Sequence, residues 1–333
     1  MTRIAINGFG RIGKMALRCI MERNLDLEVV AVNDLSGTKV AAHLFEFDST
    51  YGRFPGEVSY TDKEIVVNGK HIHVCMDRDP RNLPWKDLDV DIVLECTGVF
   101  RTKEKASIHL EAGAKRVIIS APAKDEVDAT VVMGVNEDII DKQNHKIISN
   151  ASCTTNCLAP VVKVLHENFG IKHGIMNTIH AYTADQRLID SSHKDCRRAR
   201  SACESIIPTK TGAAQAIGLV IPDLLGKLDG FALRVPTPTV STIDLSFESE
   251  KPLSADAINA AFKKASEGEL KGILGYEERP LVSIDYRKDE RSGIIDAELT
   301  RNMGDHFAKI IAWYDNEWGY ANRLVDLAVY MSR

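Results

Sequence analysis

Cys153 lies in a run of small hydroxyl and amide residues that directly follows an apolar stretch ending at Ile148. Buried structural cysteines usually have apolar neighbours, so this setting is typical of a reactive thiol. If Ser152 caps a helix that begins at Cys153, the positive end of the helix dipole favours the thiolate and lowers the pKa of the thiol. The run therefore predicts covalent chemistry through Cys153.

A nucleophilic cysteine needs a base, and it needs a place for the charge that develops on oxygen. His180 is the best-placed histidine, because it ends a strand-like stretch and precedes a polar loop. A side chain in that position can face a cleft. The backbone N–H of Cys153 can stabilise an oxyanion. Cys157, one helical turn further on, is either a small buried filler or a thiol that resolves an oxidised Cys153.

The pattern G-x-G-x-x-G, formed by Gly8, Gly10 and Gly13, follows the first strand directly and opens the first helix. In this context Gly8 allows the tight turn, Gly10 lets the backbone approach a pyrophosphate, and Gly13 permits close packing of helix on strand. Asp34 follows the second strand at about the offset where an acid binds the ribose hydroxyls of an adenosine. The pattern predicts a dinucleotide site.

Two further positions suit an anion. We expect Thr211 and Gly212 to start a helix, whose free N–H groups would attract a phosphate. Arg234 ends a strand and offers a planar fork of donors. A basic run at 193–200 is either a solvated face or part of an interface between subunits. These features suggest a phosphorylated substrate.

Length and composition narrow the classes of protein. A chain of 333 residues predicts two domains, and a formal net charge of −5 does not indicate a nucleic-acid binder. The seven cysteines are scattered and no export signal is evident, which predicts a reduced, cytoplasmic protein. Their spacing does not suggest a metal site. No apolar run approaches the roughly 20 residues of a membrane span.

The order of elements predicts an α/β architecture. Residues 1–150 alternate short apolar strands with amphipathic helices, which favours a parallel sheet covered by helices. From 151 to 316 the strands are longer, which indicates an α+β domain with a mixed or antiparallel sheet. We expect helices there at 153–168, 212–225 and 254–267. A last amphipathic helix in 317–333 must bury its apolar stripe, and we expect it to pack back on the first domain.

Motifs spread over nearly the whole chain can be compared with known families. They are INGFGRIG from Ile6, RDP from Arg78, ECTGVF from Glu95, SNASCTTNCLAP from Ser149, HKDCRRAR from His193, TGAA from Thr211, RVPTP from Arg234 and WYDNEWGY from Trp313. Together they closely resemble the phosphorylating glyceraldehyde-3-phosphate dehydrogenases, and the cysteine motif is the most specific of them. The resemblance implies a Rossmann-type first domain and an α+β catalytic domain.

The resemblance also implies a reaction. It is the oxidation of D-glyceraldehyde 3-phosphate to 1,3-bisphosphoglycerate with reduction of NAD or NADP, a step of glycolysis and gluconeogenesis. Cys153 would attack the aldehyde with His180 as base, hydride would leave for the nicotinamide, and inorganic phosphate would release the thioester. The family usually forms homotetramers, in which the loop at 181–203 lies near a neighbouring subunit's cofactor. Nucleic acid and membrane are not expected as primary partners.

Binding residues follow from the resemblance, residue by residue. Those implied for the cofactor, beyond the glycines, are Arg11, Ile12, Asp34, Arg78, Ser120 and Asn316. Those implied for the substrate phosphate are Thr183, Asp185 and Arg234. Those implied for the attacking phosphate are Ser152, Thr154, Arg198, Thr211 and Gly212.

Three departures from the family pattern bear on specificity. Ser191-Ser192 stands where NAD-specific members usually have Leu-Pro, and NADP-using photosynthetic relatives carry a small polar pair there. Lys210 and Ala181 each replace a common serine. Asp34 argues for NAD, because a carboxylate repels a 2′-phosphate. NAD is the expected cofactor, and NADP or dual use is the alternative.

The motifs leave other functions open. The nearest is erythrose-4-phosphate dehydrogenase, a sister enzyme with the same cysteine motif. A thiol hydrolase would use Cys153 and His180 but has no need of the glycine pattern. A non-catalytic binding role would leave both residues unexplained.

Overall fold

The computed structural model describes all 333 residues, and the chain divides into two compact units. The first unit comprises residues 1–131, 137–151 and 321–333. The second comprises residues 132–136 and 152–320. None of the helices combines the length and the apolar character that crossing a membrane requires.

The first unit contains a nine-stranded sheet. Its strands and helices are β1 (Thr2–Asn7), α1 (Arg11–Glu22), β2 (Leu27–Asn33), α2 (Thr38–Glu46), β3 (Val58–Tyr60), β4 (Glu64–Val67), β5 (Lys70–Cys75), β6 (Ile92–Glu95), α3 (Lys103–Glu111), β7 (Arg116–Ile119), β8 (Ala129–Thr130) and β9 (Ile147–Ser149). The strand order is β3-β4-β5-β2-β1-β6-β7-β9-β8, and the pairs from β5 to β8 are parallel. The predicted parallel sheet is confirmed.

The order of the strands reverses between β1 and β6. From β1 the chain builds the sheet outward through β2 on one side and then returns to begin β6 on the other. Ligands of open α/β sheets bind at such a reversal, outside the carboxyl ends of the strands. The loop that follows β1 carries the glycine pattern and lies at this point.

The second unit is built on a mixed eight-stranded sheet. Its elements are α4 (Cys153–Phe169), β10 (Ile171–Ala181), β11 (Ile207–Lys210), α5 (Ile217–Val220), β12 (Leu228–Val235), β13 (Ser241–Ser249), α6 (Ala255–Glu267), β14 (Leu274–Glu277), β15 (Gly293–Asp296), β16 (Arg301–Met303) and β17 (Phe307–Tyr314). β10 pairs parallel with β12 and antiparallel with β13, so the predicted mixed sheet is confirmed. Apolar and polar residues alternate along these strands, as expected for a sheet with one buried face. In β13, for example, Ile243, Leu245 and Phe247 are buried, and polar residues stand between them.

The helix expected at 212–225 is wrong. Only Ile217–Val220 is α-helical there, and a short 3₁₀ turn follows at Pro222–Leu224. Gly218 weakens a helix at its middle, and Pro222 lacks the N–H that would continue it. Thr211 and Gly212 therefore do not start a helix.

The last helix, α7 (Trp318–Ser332), contributes residues 321–333 to the first unit. Two polar contacts hold it there. Arg23 donates to Asp326 at 2.7 Å, and Arg116 donates to the carbonyl oxygen of Met331 at 3.1 Å. Ala321, Leu324 and other members of its apolar stripe are fully buried.

A buried arginine fixes the segment that follows α2. Arg18 is 1% exposed, and its guanidinium donates to the carbonyl oxygens of Phe45, Glu46 and Gly52 at 2.6 to 3.2 Å. The planar fork can satisfy several carbonyls at once, which an ammonium group cannot do in the same geometry.

Replacing this guanidinium should therefore destabilise the first unit. We expect Arg18→Lys to lower the free energy of unfolding by about 2–4 kcal/mol, because buried carbonyls lose their donors. Urea unfolding followed by circular dichroism measures the change. Arg53→Gln is the control, since Arg53 pairs with Glu46 at the surface and its loss should change the free energy by less than about 0.5 kcal/mol. Equal losses of stability in the two variants would refute the stabilising role of the Arg18 guanidinium.

Candidate active site

Cys153 is the first residue of α4, as expected, and Ser152 caps the helix. The Oγ of Ser152 accepts a hydrogen bond from the backbone N–H of Thr155 at 3.0 Å. Ala151 takes a positive φ of 53°, which turns the chain sharply from β9 into the helix. The thiol therefore stands at the positive end of a 17-residue helix.

His180 and Arg234 are brought together by strand register. β10 and β12 are parallel neighbours, and their Cα partners include His180 opposite Arg234 near the carboxyl ends of both strands. The Nε2 of His180 lies 3.6 Å from the Sγ of Cys153. The Nη1 of Arg234 lies 2.7 Å from the Nδ1 of His180 and donates to the carbonyl oxygen of Ala181 at 3.0 Å. A thiol, an imidazole and a guanidinium thus converge in the second unit.

The imidazole is uncharged at neutral pH. Burial of His180, and next the positive charge of Arg234, lower its pKa to about 3. A neutral imidazole can accept a proton, so His180 is available as a base. The Nδ1 atom, 2.7 Å from the carbonyl oxygen of Ala181, either donates to that oxygen or accepts from Arg234. The first arrangement leaves the lone pair of Nε2 facing the thiol.

The expected lowering of the thiol pKa is wrong. Burial raises the pKa of Cys153 above its ordinary value. Arg234, and donors at the start of α4 including the hydroxyl and backbone N–H of Thr154, act in the opposite direction but do not outweigh burial. The sequence indicated the helix start correctly, but it could not show that the folded chain partly buries the thiol.

A hydrogen-bonded tyrosine beneath the nucleophile was not anticipated. The hydroxyl of Tyr314 lies 2.8 Å from the Oγ1 of Thr154 and 2.9 Å from the Oγ1 of Thr178. The edge of its ring also faces the imidazole of His180. Tyr314, which ends β17, therefore connects the first turn of α4 with β10 by hydrogen bonds. Its place at the polar end of an otherwise apolar strand is the signal that could have identified it.

Cys157 is fully buried one turn deeper in α4. Burial, and next the charge of Cys153, raise its thiol pKa well above the ordinary value. A Cβ added to Gly293 would come within 3.0 Å of its Sγ, so the sulfur fills a tight space. These contacts favour the interpretation of Cys157 as a small buried filler.

Arg198 is held by polar groups of the same loop and of β11. It forms an ion pair with Asp185, and its Nε donates to the Oγ1 of Thr209 at 2.9 Å. Burial alone would raise the pKa of Asp185, but Arg198 and next His193 lower it overall. A carboxylate repels a phosphate, so the geometry gives Asp185 the part of orienting Arg198.

The other residues suggested for phosphate differ in how they are placed. Arg234 has a buried Nε without a hydrogen-bond partner in the chain, which is a donor suited to an anion. Thr183 lies in the loop after β10, where its N–H donates to Gln186. Thr154 turns its hydroxyl inward to Tyr314. Gly212 has open space where a Cβ would stand, with only the side chain of Gln215 at 3.9 Å.

The glycine loop of the first unit has the geometry of a phosphate cradle. Gly8 has a φ of 93°, and a Cβ there would lie 2.7 Å from the backbone nitrogen of Thr97. A Cβ at Gly10 would meet no atom within 4 Å, so the backbone is open to a ligand. No side chain caps α1, whose N-cap is Gly10. These features fit the pyrophosphate of a dinucleotide.

The side chains suggested for the cofactor also follow from the sheet. Arg11 opens α1 and pairs with Asp48. Asp34 follows β2, and its Oδ1 accepts the N–H of Ser36 at 2.8 Å. The backbone N–H of Ser120, just after β7, donates to the carbonyl of Glu95. Ile12 is in the first turn of α1, and Arg78 is exposed after β5. The carboxyl edge of the parallel strands places these residues together.

Asn316 belongs to the second unit. Its carboxamide oxygen accepts the hydroxyl of Ser241 at 2.9 Å, and that same hydroxyl oxygen accepts the N–H of Ala181. Ser241 of β13 therefore orients this side chain and links it to β10, the strand that carries His180.

Comparison with known proteins agrees with this geometry. The family description "Glyceraldehyde 3-phosphate dehydrogenase, NAD binding domain" matches residues 2–103, and "Glyceraldehyde 3-phosphate dehydrogenase, C-terminal domain" matches residues 152–316. The chain belongs to the glyceraldehyde-3-phosphate dehydrogenase family. The second match begins one residue before α4.

Curated relatives are similar over their whole length. Glyceraldehyde-3-phosphate dehydrogenase of Geobacillus stearothermophilus is 57% identical over 330 residues, covering 99% of this chain and 98% of the relative. Glyceraldehyde-3-phosphate dehydrogenase 1 of Bacillus cereus is 56% identical, covering 100% and 99%. Glyceraldehyde-3-phosphate dehydrogenase of Streptomyces coelicolor is also 56% identical, covering 99% of this chain and 98% of the relative.

The effect of the Arg234 charge on the pKa of the Cys153 thiol should be measurable. Because Arg234 lowers the pKa of Cys153, we expect Arg234→Gln to shift the pH midpoint of iodoacetamide alkylation of Cys153 upward. Alkylation at pH 7 should be slower than in the unmodified protein, since less thiolate is present. Mass spectrometry of the labelled peptide follows the rate.

Arg200→Gln is the matched control, because Arg200 pairs with Asp190 at the surface. This variant should leave the midpoint unchanged. An unchanged midpoint in Arg234→Gln would show that the guanidinium does not act on the thiol.

Proposed function

We propose that this protein oxidises D-glyceraldehyde 3-phosphate to 1,3-bisphosphoglycerate, with NAD as the cofactor. The observation that supports it most directly is the placement of Cys153 at a capped helix start, 3.6 Å from the neutral base His180. Membership of the glyceraldehyde-3-phosphate dehydrogenase family supports the same reaction. The reaction is a step of glycolysis and, in reverse, of gluconeogenesis.

Cys153 and His180 carry the first half of the reaction. The thiol sulfur bonds to the aldehyde carbon while its proton passes through His180 to the carbonyl oxygen, which gives a hemithioacetal. As hydride leaves that carbon, His180 takes the hydroxyl proton back, and a thioester on Cys153 remains. Bound NAD supplies the hydride acceptor.

The second half needs a phosphate site. Inorganic phosphate attacks the thioester carbon, the Cys153 thiolate leaves, and the acyl phosphate is released. We assign Arg198, Ser152, Thr154, Thr211 and Gly212 to the attacking phosphate. Thr183 and Arg234 hold the substrate phosphate, and Asp185 acts through Arg198, with which it pairs.

Substrate binding also prepares the base. When the Arg234 guanidinium turns to a substrate phosphate, it no longer competes for the Nδ1 of His180. Nδ1–H then donates to the carbonyl of Ala181, and the lone pair of Nε2 faces the thiol. The imidazole is in this way set in the tautomer that accepts a proton from sulfur.

We propose residues 1–150 as the dinucleotide-binding domain, residues 151–316 as the catalytic domain, and residues 317–333 as a helix that packs back on the first domain. The cofactor contacts are Gly8, Gly10, Arg11, Ile12, Gly13, Asp34, Arg78, Ser120 and Asn316. Asp34 favours NAD because its carboxylate repels a 2′-phosphate.

The reaction is tested by the absorbance of the reduced cofactor. With glyceraldehyde 3-phosphate, NAD and phosphate we expect NADH formation, and without phosphate a single burst, because the thioester stays on Cys153. Sustained turnover without phosphate, or a preference for erythrose 4-phosphate, would contradict the proposal. The ratio of kcat/KM for the two cofactors should favour NAD, and a tenfold preference for NADP would overturn that choice.

Cys153→Ser separates chemistry from binding. This variant should lose oxidation and keep NAD binding, because the cradle lies in the first unit. Cys157→Ser should retain turnover.

We propose a homotetramer. One face of the second sheet exposes large apolar residues on two pairs of adjacent strands. They are Ile175 of β10 (64% exposed) and Phe231 of β12 (47%), and Phe307 of β17 (43%) and Met303 of β16 (75%). Large apolar side chains exposed on one face are typical of an interface. Association through the face would also make use of the basic run at 193–200, as the family resemblance suggests.

Light scattering after gel filtration tests this assembly. We expect a mass four times that of the single chain, and a smaller mass for the double variant Ile175→Lys, Phe231→Lys, because buried ammonium groups oppose contact. Tyr60→Lys, at an exposed site in the first unit, is the control and should keep the wild-type mass. A single-chain mass for the unmodified protein would exclude the tetramer.

We also propose a cytoplasmic location. All seven cysteines are free thiols, which fits a reducing compartment. Cell fractionation is the direct measurement, and recovery from an oxidising compartment would contradict the proposal.

A further inference from the structure

A chain of buried polar groups lies at the carboxyl ends of β1, β2 and β6. The indole Nε1 of Trp85 donates to the Nδ1 of His109 at 3.0 Å. The Nε2 of His109 lies 3.0 Å from the Oε2 of Glu95, and the Nδ2 of Asn7 donates to the same oxygen at 2.5 Å. All four side chains are at most 1% exposed. None of them takes part in the reaction described above.

The direction of each hydrogen bond can be assigned. An indole N–H only donates, so the Nδ1 of His109 accepts, and the proton of a neutral imidazole sits on Nε2. That proton faces the Glu95 carboxylate. The Oδ1 of Asn7 accepts from the Nδ2 of Asn33 at 2.8 Å, which leaves the Nδ2 of Asn7 to donate to Glu95. Every donor next to the carboxylate therefore points at it.

The carboxylate gathers donors from separate elements. Its Oε1 accepts the backbone N–H of Thr97 at 2.8 Å and also the hydroxyl of Thr97. Its Oε2 accepts from Asn7 in β1 and from His109 in α3. Through Asn7 the chain continues to Asn33, which donates to the carbonyl of Asp77 at 2.8 Å.

The chain joins the loops that would meet the cofactor. The N–H of Gly8 donates to the carbonyl of Asn33 at 3.0 Å, and the N–H of Cys96 donates to the carbonyl of Asn7 at 2.7 Å. A Cβ at Gly8 would come within 2.7 Å of the backbone nitrogen of Thr97, and Glu95 accepts the N–H of that same nitrogen. Glu95 thus braces the glycine turn, the end of β2 before Asp34 and the start of the loop after β6.

Stability alone is a weak reason for such an arrangement. A buried carboxylate is costly to desolvate, and well-packed apolar residues can replace buried charged groups without loss of stability. The location is the informative feature, because Glu95 ends the strand that borders the reversal of strand order. A rigid loop that presents its N–H groups in advance binds a ligand more tightly.

We propose that Glu95 is a positioning residue for the dinucleotide. Its carboxylate, braced by His109 and Trp85, holds the glycine turn and the two neighbouring loops in the geometry that binds the cofactor. This inference rests on the proposed function, because it concerns the dinucleotide that the reaction uses.

Glu95→Gln tests the inference with little change of volume. The carboxamide has one acceptor oxygen, so its NH₂ group would face donors on one side and release either Thr97 or Asn7 and His109. We expect the Kd for NAD, from fluorescence titration, to rise about tenfold or more. Hydrogen exchange of amides 8–13 and 96–99 should be faster without cofactor. The KM for glyceraldehyde 3-phosphate should not change.

Asp91→Asn is the matched control. Asp91 precedes β6 at its opposite end, where its carboxylate accepts the N–H of Arg3 and pairs with Lys115. This variant also removes a carboxylate that accepts a backbone N–H, and it should leave the Kd for NAD unchanged. A second pair keeps the test independent of the folding of Glu95→Gln. His109→Gln retains a donor to Glu95 and should keep most of the affinity, whereas His109→Leu should lose it.

The outcomes are distinct. A Kd for Glu95→Gln within twofold of the unmodified protein would overturn the inference, as would an equal loss in Asp91→Asn. No measurable binding of NAD by the unmodified protein would instead refute the proposed cofactor.

Discussion

The chemistry in the second unit depends on one close contact, that of a guanidinium with an imidazole. Arg234 lies beside His180 because β10 and β12 are parallel and in register. Together with burial, its charge keeps the imidazole neutral and supports the thiolate at Cys153. A single cation therefore acts on both the base and the nucleophile, and it favours the deprotonated form of each. The same strand order that forms the sheet also sets the electrostatics of the site.

The sequence predicted features that depend on neighbouring residues. The glycine turn, the cap at Ser152 and the helix that begins at Cys153 are local patterns, and all three are confirmed. The alternation of strands and helices likewise predicted the parallel sheet. The helix expected at 212–225 failed because a glycine and a proline interrupt it, although its apolar spacing resembled a helix. Local pattern is a poor guide where backbone-limiting residues are present.

Features that depend on tertiary contacts were not accessible from the sequence. Nothing near Cys153 in the sequence shows that tertiary contacts partly bury the thiol, and this burial reverses the expected direction of its pKa. Tyr314 lies 161 positions from Cys153 in the chain and reaches it only through strand pairing and Thr154. The buried chain from Trp85 to Asn33 joins one helix, three strands and the loop that carries Trp85, and no spacing in the sequence predicts it. The resemblance to a family supplied residue roles that geometry alone would have left open.

The ion pair between Arg198 and Asp185 has a consequence for release as well as for binding. The guanidinium has an anionic partner within the chain, so a phosphate bound as proposed would share Arg198 with Asp185 instead of meeting a bare cation. Sharing would weaken the net affinity, since the carboxylate already satisfies part of the attraction. The carboxylate would also continue to orient the arginine when an acyl phosphate leaves. A site proposed to bind one phosphate species and release another in each cycle would gain from this weaker binding.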